Sequence, residues 1–528
     1  MPLTLFERTS VEPDAPAVVA ATGSWSWADL EVAACRVANG LRELGLGPGD
    51  RVAVLAQNRV EWVLQILLGN IRAGTSLVPL NWHLAAPEVA FILSDSTARL
   101  LVTDPEDEEV ARETAATAGV PHLLVAGSSF EAWMSSQPAA FADEEPGGGV
   151  VLYSSGTTGW PKGILRSDQR GSIRDVVNRD RRTGEFYGYR EGGAHLVACP
   201  LSHAAPPAHT MFAMTSGQSV VLMERFEAAR ALELVAEHRI TSTHLVPTQF
   251  IRMLRLPAAA REAVDVSSLA TVCHGAAPCP GWVKRAMIDW FGPVIIECFG
   301  SSEGTGPLIA TSEEWLTHPD TVGRPNRALE VSVVGEDGRD LATGEVGTLY
   351  FWRADGAPEY LGDPEKTRAS RLPDGRFTVG DVGWLDGEGF VYLGDRGVDL
   401  IISGAVNLYS AEVEAALSEH PAVEDCTVFG VPDDEWGEAV KAAVTLGPGP
   451  AASATELIEW CRNRLASFKC PRTVDLPAEL PREASGKLKK RLLRDPYWEG
   501  RARPAAPARE VAPRGPGPAE GEMGGNGQ

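Results

Sequence analysis

Apolar residues recur at helical spacing from Trp27 to Leu44, and the run stops at the breakers Gly45, Gly47, Pro48 and Gly49. Arg51-Val52-Ala53-Val54-Leu55 then reads as a short buried strand, Glu61 to Gly74 as a helix, and Ser76-Leu77-Val78-Pro79-Leu80 as a second strand. The alternation continues through a strand at Ser219–Met223, a helix at Ala228–His238 and strands at Ser242–Val246 and Thr271–Cys273. Strands separated by helices predict parallel β-α-β units. From Glu330 to Tyr392 the pattern turns strand-rich with Gly/Asp turns (Val331–Val334, Gly347–Phe351, Gly389–Leu393), which predicts a β subdomain on the α/β core.

A smaller unit follows. Ser410 is the expected N-cap of a helix over Ala411–Glu419, with Glu412 and Glu414 suited to its positive end. Strands are expected at Glu424–Val431 and Ala439–Leu446, and a helix at Ala454–Arg464. The expected organisation is α/β: a large N-terminal domain of several subdomains (1–395), a hinge (396–400), a small mobile α+β domain (401–500) and a tail (501–528). The tail has no aromatics and is rich in Ala, Pro and Gly, which predicts disorder.

Composition sharpens this picture. A chain of 528 residues exceeds one core. No apolar run approaches the roughly eighteen residues that span a bilayer, and the first residues lack the basic and long apolar segments of a secretory signal. The eight cysteines are scattered without a C-x-x-C pair, which favours free thiols in a cytoplasmic protein. The 48 basic and 71 acidic side chains set a formal charge of −23, and no basic stripe appears, so nucleic acid is not an expected partner. Any polyanionic ligand must then be offset by local positive charge.

One segment carries such chemistry. An apolar strand pattern ending at Tyr153 runs into Ser154-Ser155-Gly156-Thr157-Thr158-Gly159-Trp160-Pro161-Lys162-Gly163. Glycines let backbone N–H groups converge on an anion, the hydroxyls add donors and Lys162 adds charge suited to phosphate. The G-x-x-x-x-G-K-[ST] spacing of the common phosphate loop is absent, and a Ser/Gly/Thr linker is the competing reading.

This loop resembles, without a gap, the signature of the adenylate-forming superfamily: acyl-CoA synthetases, luciferases and peptide-synthetase adenylation domains. Further segments similar to that family follow in order: His274-Gly275-Ala276-Ala277-Pro278, Glu297-Cys298-Phe299-Gly300-Ser301-Ser302-Glu303-Gly304, Gly380-Asp381, Asp395-Arg396-Gly397-Val398-Asp399, Ile402-Ser403-Gly404-Ala405 and Ser485-Gly486-Lys487. The likeness runs from about Ala28 to about Leu493.

The resemblance implies an ATP-dependent acid:CoA ligase, with ATP, Mg²⁺ and coenzyme A as cofactor and co-substrates. It implies that residues 154–159 and Lys162 bind phosphates, that Gly275, Ala276 and Ala277 lie along adenine, and that Phe299, followed by Gly300 and Ser301, stacks on it. Asp381 is expected at the ribose with Arg396 in support, Glu303 at the metal, and Thr158 and Ser302 at the phosphates or the metal's waters. Lys487 is expected to bridge carboxylate and α-phosphate, and Ser403, Gly404 and Ala405 to border the thiol path. His203, in Leu201-Ser202-His203-Ala204, is expected either at the carboxylate site or as a core histidine. Small residues nearby (Ala204, Ala205, Ala208, Gly304, Thr305, Gly306) predict room for a medium or bulky apolar acid. Val398, Ala405 and Val379 depart from the family pattern, which puts the balance of the two half-reactions in question. Two alternatives stay open: an acyl-AMP ligase loading a carrier protein's phosphopantetheine, and a nucleotide-binding relative without turnover. A homodimer is compatible with either.

Overall fold

The computed structural model describes residues 11–57, 60–140, 147–154, 161–166, 171–277, 279–325, 328–335, 337–394, 401–403, 406–408, 410–433, 437–449, 451–465, 467–482, 488–499 and 501. The expected hinge (396–400) and nearly all of the expected tail lie outside these residues.

The first helix runs Trp27–Glu43, where the apolar spacing places it. Ser26 caps it: its hydroxyl accepts from Asp29 N at 3.1 Å, and the Asp29 carboxylate accepts from Ser26 N at 3.0 Å. The strands Arg51–Leu55 and Ser76–Leu80 begin and end as the apolar runs do. They pair in parallel with each other and extend into a five-stranded all-parallel sheet with His122–Val125, Leu100–Thr103 and Gly149–Val150.

A second, larger sheet holds the parallel run Ser219–Leu222, Ala194–Val197, Ser242–Leu245, Thr271–His274 and Ile295–Phe299. Several of these strands are buried throughout, yet Ser242-Thr243-His244-Leu245 and Thr271-Val272-Cys273-His274 carry polar side chains where apolar ones are the rule. The strand-rich region is continuous with this sheet. Leu308–Ala310 and Thr321–Pro325 add antiparallel strands, Val391–Leu393, Val382–Leu385, Gly347–Arg353 and Leu329–Val334 continue beyond them, and Pro16–Ala20 with Gly23–Ser26, beside Ser219–Leu222, complete a thirteen-stranded path.

The small domain is an antiparallel pair, Val423–Asp433 with Gly437–Leu446, extended by Ile401–Ser403, Val406–Leu408 and a parallel strand Thr473–Asp475. Helices Ser410–Ser418 and Ala454–Arg462 cover it. Leu417, Val428, Val444 and Leu457 are fully buried between them, and each contributes about 1.5–3 kcal/mol, enough to give this unit its own core. Ser410 is the first helical residue rather than the expected N-cap, and its hydroxyl accepts from Lys490 Nζ at 2.9 Å. Among the described residues no helix is long and apolar enough to cross a membrane.

Candidate active site

Leu152–Ser154 and Lys162–Leu165 form a hairpin in which Ser154 and Lys162 are ladder partners. The two ends of the glycine-hydroxyl loop are therefore adjacent. Ser155, Gly156, Thr157, Thr158 and Gly159 lie outside the described residues. On the hairpin's other edge, Tyr360 pairs with Ile164 in the short strand Glu359–Tyr360. This brings in residues that sequence reasoning passed over. Lys162 Nζ lies 3.2 Å from Asp363 Oδ2, and Lys366 Nζ sits 3.8 Å above the Tyr360 ring. Asp363 caps the helix Pro364–Ala369 by accepting from Lys366 N, so Asp363-Pro364 was a readable helix start. Burial, and then the Lys162 charge, hold the Lys366 ammonium below its usual range. Two ammonium groups, Lys162 and Lys366, thus meet the Asp363 carboxylate at this edge.

The Tyr360 hydroxyl donates to Glu303 Oε1 at 3.3 Å. Burial, then the Glu303 charge, raise the phenol far above its ordinary value, so it stays a donor. The loop behind Glu303 is fixed by Arg353, whose Nη1 donates to the carbonyls of Gly304 (3.2 Å) and Gly306 (3.1 Å). Ser301 Oγ accepts from Glu303 N at 3.2 Å.

Glu303 and Tyr360 face a cleft of about 3430 Å³. Its walls also include Gly275, Ala276, Ala277, Phe299, Gly300, Ser301, Ser302, Asp381 and His203, so these predicted site residues share one space. They sit at or beyond the carboxyl ends of parallel strands, where open α/β sheets bind ligands, except Asp381, which comes from the β subdomain. Gly275 passes so close to the next strand that a Cβ there would lie 2.4 Å from the Cys298 carbonyl oxygen. Ala276 follows with φ of 66°, a left-handed conformation that costs a non-glycine residue about 1 kcal/mol or more.

The small domain closes the cleft from above. Arg482 and Leu488, the residues on either side of the segment containing Lys487, form a β-bridge and both line the cleft. Arg482 is held by a paired contact to Asp425, at 2.7 and 2.6 Å. Lys487 itself, Arg396, Gly404 and Ala405 lie outside the described residues, and of Ser403 only the backbone strand is placed.

Deeper in, His244 and His209 stack with ring centroids 4.5 Å apart, with Tyr187 at 4.8 Å from His209. The Tyr189 hydroxyl contacts His209 Nδ1 at 2.7 Å. Among the described residues neither ring nitrogen of His244 has a hydrogen-bond partner, and each unmet buried group costs about 1–3 kcal/mol. Burial pushes His244 down to about 4 and His195 down to about 3, and lowers His209 well below its ordinary value. These rings are neutral at physiological pH. Sequence reasoning missed them; the polar residues inside otherwise buried strands were the signal.

Comparison with known proteins agrees with this arrangement. The AMP-binding enzyme family matches residues 5–361, and the AMP-binding enzyme C-terminal domain matches residues 412–487. The chain is 33% identical to the fatty acid–[acyl-carrier-protein] ligase ScoC of Streptomyces coeruleorubidus over 95% of this chain and 98% of that one. It is 34% identical to a feruloyl-CoA synthase of Amycolatopsis sp over 92% and 96%. ATP-bound MatB from Rhodopseudomonas palustris superposes with a TM-score of 0.80 at 27% identity, covering 94% of this chain and 99% of that one. A large α/β domain, a small capping domain and these matches over nearly the whole length place the chain in the adenylate-forming AMP-binding enzyme superfamily, among its acid ligases.

Proposed function

We propose that this protein is an ATP-dependent acid:CoA ligase acting on a medium or bulky, largely apolar carboxylic acid. The observation that carries it is the convergence on one cleft of the loop-bearing hairpin, the Glu303–Tyr360 pair, Asp381, the Gly275–Ala276 turn and the flanks of Lys487.

A carboxylate is a poor acyl donor because its oxide leaving group is too basic. In the first step a carboxylate oxygen attacks the α-phosphorus of ATP, and the bond to the bridging oxygen breaks with its electron pair leaving on pyrophosphate. In the second the CoA thiolate attacks the acyl carbon and AMP leaves. The chain's own task in the first step is to hold two anions together. Lys162 and Lys366 are assigned to the phosphate end and Lys487 to the reacting oxygens. Asp381 is assigned to the ribose, and Phe299 with Gly275–Ala277 to the base.

Glu303 fits Mg²⁺: it is a cleft-facing carboxylate held by a phenol, a hard oxygen donor. The metal would neutralise phosphate charge there, with Thr158 as a second contributor. The small domain is taken to pivot at residues 396–400 between the half-reactions, and Val398 and Ala405 are expected to shift their balance.

Incubation with MgATP, CoA and a panel of acids tests this, with pyrophosphate release and thioester mass as readouts. Acid-dependent release of pyrophosphate with a CoA thioester is expected. Release with thioester formed only on a carrier protein would favour the carrier-loading alternative, and no release with any acid would overturn the ligase reading.

A further inference from the structure

The pocket floor carries more polarity than a purely apolar acid needs. His209 comes from the helix Ala205–Thr215 and His244 from the strand Ser242–Leu245, and both face the cleft. Behind them runs a buried hydrogen-bond network: Tyr189 meets His209, and His195 Nδ1 meets Ser242 Oγ at 2.9 Å, which donates to Gln218 at 2.6 Å. His244 is 4% exposed, yet among the described residues both of its ring nitrogens lack a partner. Phe212 stacks on Tyr187 at 5.9 Å and 18°, giving the pocket flat aromatic walls.

His209, His244 and Cys298 also bring three donor atoms within 4.8 Å of one another. A metal is the weaker reading. The two imidazoles lie nearly parallel, at 28°, so their in-plane lone pairs do not converge on one ion, and His209 Nδ1 is already engaged by Tyr189.

We propose that this floor selects a planar aromatic acid bearing a ring hydroxyl, which hydrogen-bonds to His244 while the ring lies against the aromatic wall of Phe212, Tyr187 and His209. A neutral imidazole offers one donor and one acceptor, and a hydroxyl group matches either. A second carboxylate only accepts, so it matches the imidazole N–H but leaves the ring's other nitrogen unmet. The aromatic walls favour a flat ring over a flexible alkyl chain. This rests on the ligase reading and narrows its acid from apolar to aromatic and hydroxylated.

The test compares 4-hydroxycinnamic acid, cinnamic acid and an alkanoic acid of equal length, by pyrophosphate release with MgATP and by the thermal shift each acid produces without ATP. In the wild type the hydroxylated acid is expected to exceed cinnamic acid in kcat/KM by about tenfold or more, and to give the larger thermal shift. In His244→Phe that preference falls to near unity while cinnamic acid is still turned over; His244→Asn, which keeps a donor and an acceptor, retains part of it. Equal or better turnover of cinnamic or the alkanoic acid by the wild type, or preference unchanged in His244→Phe, overturns the proposal. If His244→Phe fails to fold, the wild-type ranking and the Asn variant decide. No turnover with any acid, but a selective thermal shift, would sink the ligase reading and leave this pocket assignment standing. Absent selectivity together with zinc inhibition that His244→Phe abolishes would make the site a metal site instead.

Discussion

Glu303 can serve a metal–phosphate group only while its carboxylate is ionised and aimed, and the Tyr360 hydroxyl is what aims it. Tyr360→Phe removes one hydrogen bond worth about 1 kcal/mol, so acid-dependent pyrophosphate release should fall about fivefold and half-saturation should need more Mg²⁺. Glu303→Gln, which removes the charge itself, should cost about a hundredfold or more. Titrating Mg²⁺ against both variants separates aim from charge; an unchanged Mg²⁺ requirement in both would remove Glu303 from the metal. The buried histidines act on stability instead. His195 and His244 are pushed down to about 3 and about 4, chiefly by burial, whereas unfolded they titrate near 6.5. The unfolded chain therefore binds more protons between these values, and stability present above about pH 6.5 is lost as pH falls through that window. At pH 5 each ring should cost on the order of 2 kcal/mol. Urea unfolding at pH 7.5 and pH 5 should show this loss, and His244→Phe should reduce it; an identical loss in the variant would mean that other groups carry it.

At the scale of elements, the sequence was most legible where burial and periodicity agree. The strands Arg51–Leu55 and Ser76–Leu80 were readable to the residue because a buried parallel strand is an unbroken apolar run ended by turn formers. The motif order was legible too, and the cleft gathers Gly275–Ala277, Phe299–Glu303 and Asp381 from segments up to about a hundred residues apart. What stayed hidden depends on pairing across distant chain. Tyr360 and Lys366 reach the hairpin of Lys162 only because Glu359–Tyr360 adds to its edge, and nothing local announces that register. The His209–His244 stack likewise joins a helix and a strand distant in sequence: the polar residues of the buried strand were visible, but not which helix they meet. Gly275 shows the same dependence in testable form. The turn after Thr271–His274 touches the neighbouring strand at the Cys298 carbonyl, so Gly275→Ala must push two strand ends apart. Overpacking of this kind costs about 1–3 kcal/mol. Thermal unfolding should fall by several degrees, and ATP affinity should fall with it because the displaced turn is the assigned adenine wall. Unchanged stability with unchanged ATP affinity would refute the close approach.

The proposed function requires the two domains to meet over the cleft in the right orientation, and two hydrogen bonds between described residues join them. The Trp282 indole donates to Ser418 Oγ at 3.0 Å, and the Arg255 guanidinium donates to the Val423 carbonyl. Ser418 ends the helix Ser410–Ser418, and Val423 opens the strand Val423–Asp433 that packs against it. The same helix is tied by Ser410 and Glu414 to Lys490, three residues beyond Lys487. One rigid unit thus links the interface to the segment that carries the assigned lysine. The observed arrangement, with Arg482 and Leu488 at the cleft wall, is the one that the proposed role of Lys487 assigns to the first half-reaction. Removing both contacts, in Trp282→Phe with Arg255→Ala, takes away about 2 kcal/mol from this arrangement, a shift of roughly thirtyfold in its equilibrium with any other. Pyrophosphate release should therefore drop several-fold, while thioester formation from supplied acyl-AMP and CoA is unchanged or faster, because that step is assigned to a different orientation of the small domain. Parallel loss of both half-reactions would mean that these contacts support folding rather than orientation, and an unaltered pyrophosphate rate would mean that the first step does not require this arrangement of the domains.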